Sequence, residues 1–547
     1  MKTITEEQLE EDDGEKVVEY LTDKKEAFEG DSYAIINKSK EMKHFGSNFQ
    51  EFFDKLLSVC GREVIYDETM IDTLINWTTV LASSSFRAFR HTSTFVALQL
   101  VDSLISLANK QRSVLESTER QIDSSSSSSH SKNLVEKREK LVENIKALEA
   151  MIQSLFNGVV VHRYRDTYPP VRSQCIEGIG RWVVSYPHHF LKNVYTKYIG
   201  WTLYDTCPEV RLSALNSLKQ IYSNKKFLTH LELFTERFLS RIVESRLDKD
   251  PRVAVSSIQL IQLLACEYEK VGEEQVFQVL ELVEDEDRTI RLAAANFLAN
   301  FLFPGGKGKG KSKEKLRELS KFVKDLEGEG DEEEEEGEGK KESGERKKRE
   351  ERSGERTELV VDALFEQVDF LTDWEALSSS LLEEEDSTSQ LIFSKTLLAS
   401  VKRALGMEVA GKLSNKEKHP PKKQQLTNLQ QISEHLIKVL PELLNTFKGE
   451  PFVKDIVELV GLVDLEVFAN ESAENSHQQM LNALNQVYLQ SSDYSLLSLS
   501  SQVWSRFLNS NYPLKDKSSL LFRQLSDKVY SSLSLFDFTV KNSSFFF

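Results

Sequence analysis

The sequence predicts an all-α fold: a helical repeat solenoid carrying one long antiparallel helical hairpin. Three observations predict it. Apolar residues recur at three- and four-residue steps through most of the chain, with no alternation of the strand type. Two long helical stretches flank a run of serines. A turn motif then returns at intervals near 40 residues.

Taken in order, residues 1–44 are charged and poor in large apolar side chains, which predicts an acidic, disordered N-terminus. Periodicity starts near Phe45, with Phe49, Phe52, Phe53, Leu56 and Leu57 on one stripe. A second helix is expected over about 64–82. A third, long one begins near Arg90 and carries Val101, Leu104, Ala108 and Leu115. The segment Asp123 to Lys132 is nearly all serine and reads as a flexible loop. Beyond it Leu134, Leu141, Ile145, Leu148, Ile152 and Leu155 form a coiled-coil seam. Two long helices joined by such a loop make a hairpin, with the seam as its internal contact. This helical region spans 45–157.

From 158 to 303 the chain repeats an acidic residue, a short turn, and a β-branched residue that opens an apolar helix. The pairs are Asp166 with Val171-Arg172, Asp205 with Val210-Arg211, Asp250 with Val253-Ala254, and Asp287 with Ile290-Arg291. Their spacings of 39, 43 and 37 residues suit HEAT-like helix pairs. Each pair has an apolar face too large to leave wet, so pairs stack. The Asp is expected to cap a helix or to pair with an Arg of the next unit. Residues 304–357 read as a charged disordered linker with a possible short helix inside it, and 358–547 as a C-terminal helical region. The final Asn542 to Phe547 shows no repeat logic.

Composition excludes several classes. The N-terminus is acidic and has no apolar signal-peptide core, and no stretch approaches the ~20 apolar residues of a membrane helix, so a soluble intracellular protein is expected. The four cysteines, Cys60, Cys175, Cys207 and Cys266, form no C-x-x-C pair, so no local zinc site is expected. They read as buried free thiols of a reducing compartment. Gly305 to Ser312 satisfies the phosphate-loop pattern G-x-x-x-x-G-K-S, and Leu359-Val360-Val361-Asp362 imitates the strand that ends in a magnesium-binding Asp. A phosphate loop needs a feeding strand, whereas Ala293 to Phe303 reads as helix, so no nucleotide site is expected. With no H-E-x-x-H, no G-x-S-x-G elbow and no acid/base pair to nominate, the chain is not expected to be an enzyme. No cofactor, metal or small-molecule substrate is implied.

Charge is distributed unevenly. The whole chain carries −17, yet 158–252 holds fifteen bases against nine acids. A basic island of this kind marks a polyanion contact. Its candidate duplex-DNA ligands are Lys192, Lys219, Lys225, Lys226, Arg246, Lys249 and Arg252. Pairing of these bases within the repeats is the competing reading.

Five motifs stand in order: Phe86-Arg-Ala-Phe-Arg-His-Thr-Ser-Thr-Phe95, His162-Arg-Tyr-Arg-Asp166, Glu177-Gly-Ile-Gly-Arg-Trp182, Lys197-Tyr-Ile-Gly-Trp-Thr202 and Leu233-Phe-Thr-Glu-Arg-Phe-Leu-Ser-Arg241. Over about 65–300 the chain resembles the stromalin, or stromal-antigen (STAG), family, the HEAT-repeat subunit of cohesin. The resemblance implies a curved scaffold with a protruding hairpin. It implies binding to the kleisin subunit of cohesin, to double-stranded DNA and to regulators with short aromatic motifs. It further implies a role in sister-chromatid cohesion and chromosome segregation, in the nucleus and on chromosomes. Family members are about twice as long, and the part after 360 does not visibly match. The alternative is a helical-repeat adaptor in transport or trafficking without DNA.

One candidate peptide site follows. Tyr198 and Trp201 share a helix face, and Arg237 and Phe238 lie one repeat on, where stacking would bring them alongside. Aromatics grouped with an Arg make interaction hot spots. With Lys197, these four fall where the resemblance places a surface for aromatic peptides. Asn193 departs from the acidic residue expected beside them. The competing reading is that Trp201 and Phe238 fill the inter-repeat core.

Overall fold

The computed structural model describes residues 16–18, 33–37, 39–60, 64–67, 69–124, 128–303, 311–328, 342–409, 422–469 and 473–535. Among these residues there is no strand. The chain divides into two compact units, Met1–Val276 and Phe277–Phe547.

The first unit opens with α1 (Phe45–Cys60), α2 (Met70–Ala82), α3 (Arg87–Ser124) and α4 (Ser128–Leu155). α1 and α2 pack on α3, and α3 pairs along its length with α4. The expected seam is the contact: Leu141, Ile145, Leu148, Ile152 and Leu155 are buried, and Leu134 is half-buried. The serine loop is shorter than expected, because α3 continues to Ser124 and α4 starts at Ser128. Serine costs a helix only tenths of a kcal/mol, so a strong seam carries the helices into the run. Order also reaches further toward the N-terminus than composition suggests. The Tyr33 hydroxyl bonds His91 Nδ1 at 2.6 Å, and its ring meets that imidazole edge-on.

Helix pairs follow: α5 (Pro169–Ser185), α6 (Asn193–Thr202), α7 (Pro208–Tyr222), α8 (Leu228–Glu244) and α9 (Pro251–Cys266). α5, α7 and α9 each carry Pro in the first turn, where its missing N–H costs nothing. They lie side by side and parallel, since Ser213 of α7 bonds Glu177 of α5 and Ser256 of α9 bonds Asn216 of α7. Gly180 permits the close approach of α5 and α7: a Cβ there would sit 2.6 Å from Ser217.

An Arg–Asp ladder fastens one edge of this layer, and each Asp takes its Arg from the preceding unit and not, as expected, from the next. Arg90 donates to both carboxylate oxygens of Asp166 at 2.9 and 3.3 Å, Arg172 to Asp205 at 2.7 and 2.6 Å, and Arg211 to Asp248 at 2.7 and 2.7 Å. Arg172 and Arg211 also hold the backbone carbonyls of Asp166 and Asp205. Each of the three aspartates accepts the N–H two residues on, which closes its turn. The third acid of the ladder is therefore Asp248, and Asp250 takes the other of the two expected roles. Asp250 instead caps α9 by accepting the Arg252 N–H. Ala254 stands where α5 and α7 have arginine, so the ladder stops.

The second unit contains α10 (Arg288–Leu302), α11 (Ser312–Gly328), α12 (Glu342–Leu364), α13 (Trp374–Glu383), α14 (Ser387–Ala404), α15 (Lys422–Thr446), α16 (Val453–Leu462), α17 (Glu474–Gln490), α18 (Tyr494–Asn509) and α19 (Lys515–Leu535). α10, α12, α14, α16 and α18 pack in succession, with α13, α15 and α17 alongside. Here Asp287 caps α10, and Arg291 holds the carbonyl of Asp285. The expected disordered linker is partly core. α11 buries Leu316, Leu319, Phe322 and Val323 against neighbouring helices, and α12 begins well before 358. The Lys and Glu of α11 form its wet face and mask a narrow apolar stripe. The Gly/Lys tract up to 310, the acidic run at 331–336 and the chain after 535 lie outside the described residues.

Candidate functional site

The residues singled out by sequence fall on α6 and α8, which pack against each other. Gly200 sets their spacing, because a Cβ at that position would lie 2.4 Å from the Phe238 ring. Phe238 is accordingly 5 % exposed and Tyr198 8 % exposed. Tyr198 packs edge-on against Tyr164, with ring centroids 4.8 Å apart. Burial raises the pKa of its hydroxyl. For these two aromatics the core reading describes the geometry. Trp201 differs: it is 39 % exposed, with its ring at 83° to that of Tyr198.

Cations complete the surface. The Lys197 ammonium lies 5.1 Å from the Tyr198 centroid and 5.4 Å from that of Trp201. Arg237, exposed, lies over Phe238 at 5.5 Å. Arg241 lies over Tyr204 at 4.8 Å and donates to the Leu203 carbonyl. Tyr204 and Leu233 are exposed, and sequence reasoning passed over them and Arg241. Leu233 was legible as an apolar residue out of register with the buried stripe Leu231, Phe234 and Phe238. Together these groups offer apolar rings flanked by guanidinium and ammonium groups, which suits an aromatic peptide.

The seven candidate DNA ligands do not form one patch. Because α5, α7 and α9 run parallel, Lys192, Lys219, Lys225 and Lys226 fall on the edge at their C-terminal ends. Arg246, Lys249 and Arg252 fall on the opposite, ladder edge. Lys192, Lys226 and Lys249 are exposed. Lys225 is paired with Glu267, which raises its pKa. Lys219 donates to Gln259, and burial lowers its pKa. Arg246 holds the Val243 carbonyl, and Arg252 is paired with Asp250 and Glu209.

The chemistry weighed in the sequence has plain structural settings. Ser312 starts a helix and its hydroxyl bonds Asp373, while the segment ahead of the Gly/Lys tract is α10, a helix. Asp362 lies in helix α12, buried against Arg288 at 3.0 Å and Arg403 at 3.2 Å. Of the cysteines only Cys175 is buried; Cys266 is exposed, contrary to expectation. No group of His, Cys, Asp and Glu suited to a metal occurs among the described residues. No described helix is long and apolar enough to cross a membrane.

Stacked helix pairs, a helical hairpin and an exposed aromatic–cationic face define a helical-repeat scaffold. Comparison with known proteins narrows the class. The STAG domain model matches residues 31–146, the stromalin conservative domain model 165–239, and the cohesin subunit SCC3/SA HEAT-repeats model 359–543. The cohesin subunit SA-1 of Xenopus laevis is 30 % identical over 95 % of this chain and 42 % of its own length. The human cohesin subunit SA-3 is 30 % identical over 96 % of this chain and 43 % of its own length. The cohesin subunit Scc3 from Z. rouxii shares the fold, with a TM-score of 0.71 at 18 % identity over 95 % of this chain and 61 % of that one. The chain belongs to the stromalin (STAG) family, and it spans less than half the length of these two curated relatives. The match at 359–543 extends the family beyond the part legible in the sequence.

Proposed function

We propose that this chain works as a cohesin subunit. It is a non-catalytic scaffold that binds the kleisin subunit, duplex DNA and regulators with short aromatic motifs, and it acts in sister-chromatid cohesion and chromosome segregation on nuclear chromosomes. The observation that carries the reading is the collinear family match. The exposed face of Trp201, Tyr204, Lys197, Arg237 and Arg241 supports peptide capture. There Tyr198 and Phe238 act from beneath, as the floor that orients Trp201 and Arg237. For DNA, the edge with Lys192, Lys219, Lys225 and Lys226 offers the longer row of lysines; Arg246, Lys249 and Arg252 form a second, partly neutralised row.

Affinity purification of the tagged chain from nuclear extract, with mass spectrometry of its partners, tests the reading. Kleisin and the cohesin ring are expected. Recovery of transport or trafficking partners without any cohesin component would overturn it.

A further inference from the structure

We infer that Phe156 is a positioning residue for Trp201, and that the π-helical turn it opens ties the aromatic–cationic face of α6 to the helical hairpin. The inference rests on the reading of that face as a peptide site, but its first test needs no peptide.

α4 does not end in a loop. After Leu155 it widens into one π-helical turn, Phe156–Val160, and the Val161 N–H reaches the Phe156 carbonyl five residues back. The chain then runs on as helix, and the Tyr164 N–H bonds the Val160 carbonyl at 3.0 Å. Such a turn inserts one extra residue into a helix and is frequent at functional sites. Here it decides which way two rings point. Residues eight apart on an unbroken α-helix are turned ~80° from each other. One residue more in the turn reduces that offset to ~20°. Phe156 and Tyr164 therefore share a side, and both meet the same residue of α6. The Tyr198 ring stands edge-on to each, with centroids 5.6 Å from Phe156 and 4.8 Å from Tyr164.

Tyr198 passes this constraint to the surface. The Trp201 ring lies across it at 5.4 Å, and the Lys197 ammonium sits beside both rings. Phe156 also grips the first turn of α6. Its ring lies 4.9 Å from that of Tyr195, whose hydroxyl donates to Gln153 of α4. Phe156 itself is buried, so it acts on the face only through Tyr198. Because α4 is continuous with the turn, a displacement at the root of the hairpin carries Phe156 with it. Close-packed rings transmit such a shift and do not absorb it.

Labelling the full chain with 5-fluorotryptophan gives five fluorine resonances, and Trp201→Phe assigns the relevant one. Phe156→Leu keeps an apolar side chain and removes the ring. It is expected to shift or split the Trp201 resonance and to leave that of Trp504, in the second unit, in place. Phe53→Leu changes a buried ring of α1 outside this cluster and should leave Trp201 unmoved. Affinity for a Phe- or Tyr-containing peptide should fall about tenfold in Phe156→Leu and hold in Phe53→Leu. An unmoved Trp201 resonance in Phe156→Leu, or an equal shift in both variants, would overturn the inference. A shifted resonance in a chain whose parent binds no aromatic peptide would sink the peptide reading and leave the positioning role standing. Leu148→Ala, in the buried seam ~12 Å along the helix from Phe156, keeps every ring of the cluster. It reads the link to the hairpin even where Phe156→Leu fails to fold. It should move the Trp201 resonance, and no movement would overturn that link.

Discussion

Trp201 and Phe238 are both aromatic residues on neighbouring helices, yet the structure gives them different work. Phe238 fills the space that Gly200 leaves, while Trp201 presents a ring to solvent beside Lys197. Truncation should separate the roles. Phe238→Ala is expected to cost about 3–5 kcal/mol of stability. Gly200→Ala drives a Cβ into the same ring and should cost about 1–3 kcal/mol. A Trp201→Ala/Arg237→Ala double variant should melt nearly as the parent does but lose binding to a Phe- or Tyr-containing kleisin or regulator peptide. Calorimetric melts beside peptide titrations check all three, and retained peptide binding by the double variant would place the site elsewhere. His477 offers a separate reading by pH. Burial holds it neutral, with its pKa lowered from 6.5 to about 4 beside Ser518 and Tyr512. The unfolded chain takes up the proton first, so stability is expected to fall as pH drops from about 6.5 to 4. His477→Gln should flatten that limb of a denaturant-midpoint-versus-pH curve.

At the scale of elements, the ladder fixes how one helix pair sits on the next. The Arg172 and Asp205 side chains are 12 % and 11 % exposed and joined by two hydrogen bonds. Removing the arginine leaves a carboxylate with its main partner gone, so Arg172→Ala should destabilise the first unit by about 3 kcal/mol. Chemical denaturation would measure it, and a loss below 1 kcal/mol would mean that helix packing alone sets the geometry. Acid should act on the same edge. Burial pushes the Asp166 and Asp248 carboxyls up, but hydrogen bonds from Arg90 and Arg211, backbone N–H groups and the nearby positive charges outweigh it and hold both below 3.8. Their stabilisation is present above the ordinary carboxylate range and fades as pH falls through it, later in an acid titration than the His477 limb.

At the scale of the whole molecule, the basic island is a property of repeat geometry as much as of composition. The parallel helices α5, α7 and α9 send the lysines at their C-terminal ends to one edge and the Arg–Asp ladder to the other. If the lysine edge is the polyanion contact, Lys225→Glu/Lys226→Glu should weaken duplex DNA binding more than Lys249→Glu. Affinity should also fall with salt by ~0.9 in log–log slope per phosphate neutralised. Fluorescence anisotropy over a salt series checks this; a slope near zero would exclude phosphate contact. The same architecture predicts no nucleotide turnover, since a helix precedes the Gly/Lys tract. ATP hydrolysis that is lost on Lys311→Ala would contradict it.

The all-helical class, the hairpin seam from Leu134 to Leu155 and the repeat period, with its recurring acid and base, are legible in the sequence alone. Each is written in local spacing, and a helix repeats every 3.6 residues whatever surrounds it. It also carried the family, because short motifs in a fixed order survive without reference to contacts. Only the tertiary structure decided which members of a candidate set are surface and which are core. Tyr198 and Trp201 are equivalent by spacing, but Phe156 and Tyr164 pack on Tyr198, while Trp201 meets Tyr164 only at 6.2 Å and stays 39 % exposed. Asp248 and Asp250 are two residues apart, and it is the reach of Arg211 from the preceding repeat that selects Asp248. α11 looked like linker until neighbouring helices were present to bury Leu316 and Phe322. In each case the deciding atom lies tens of residues away along the chain, and burial is a relation between elements that no local window contains.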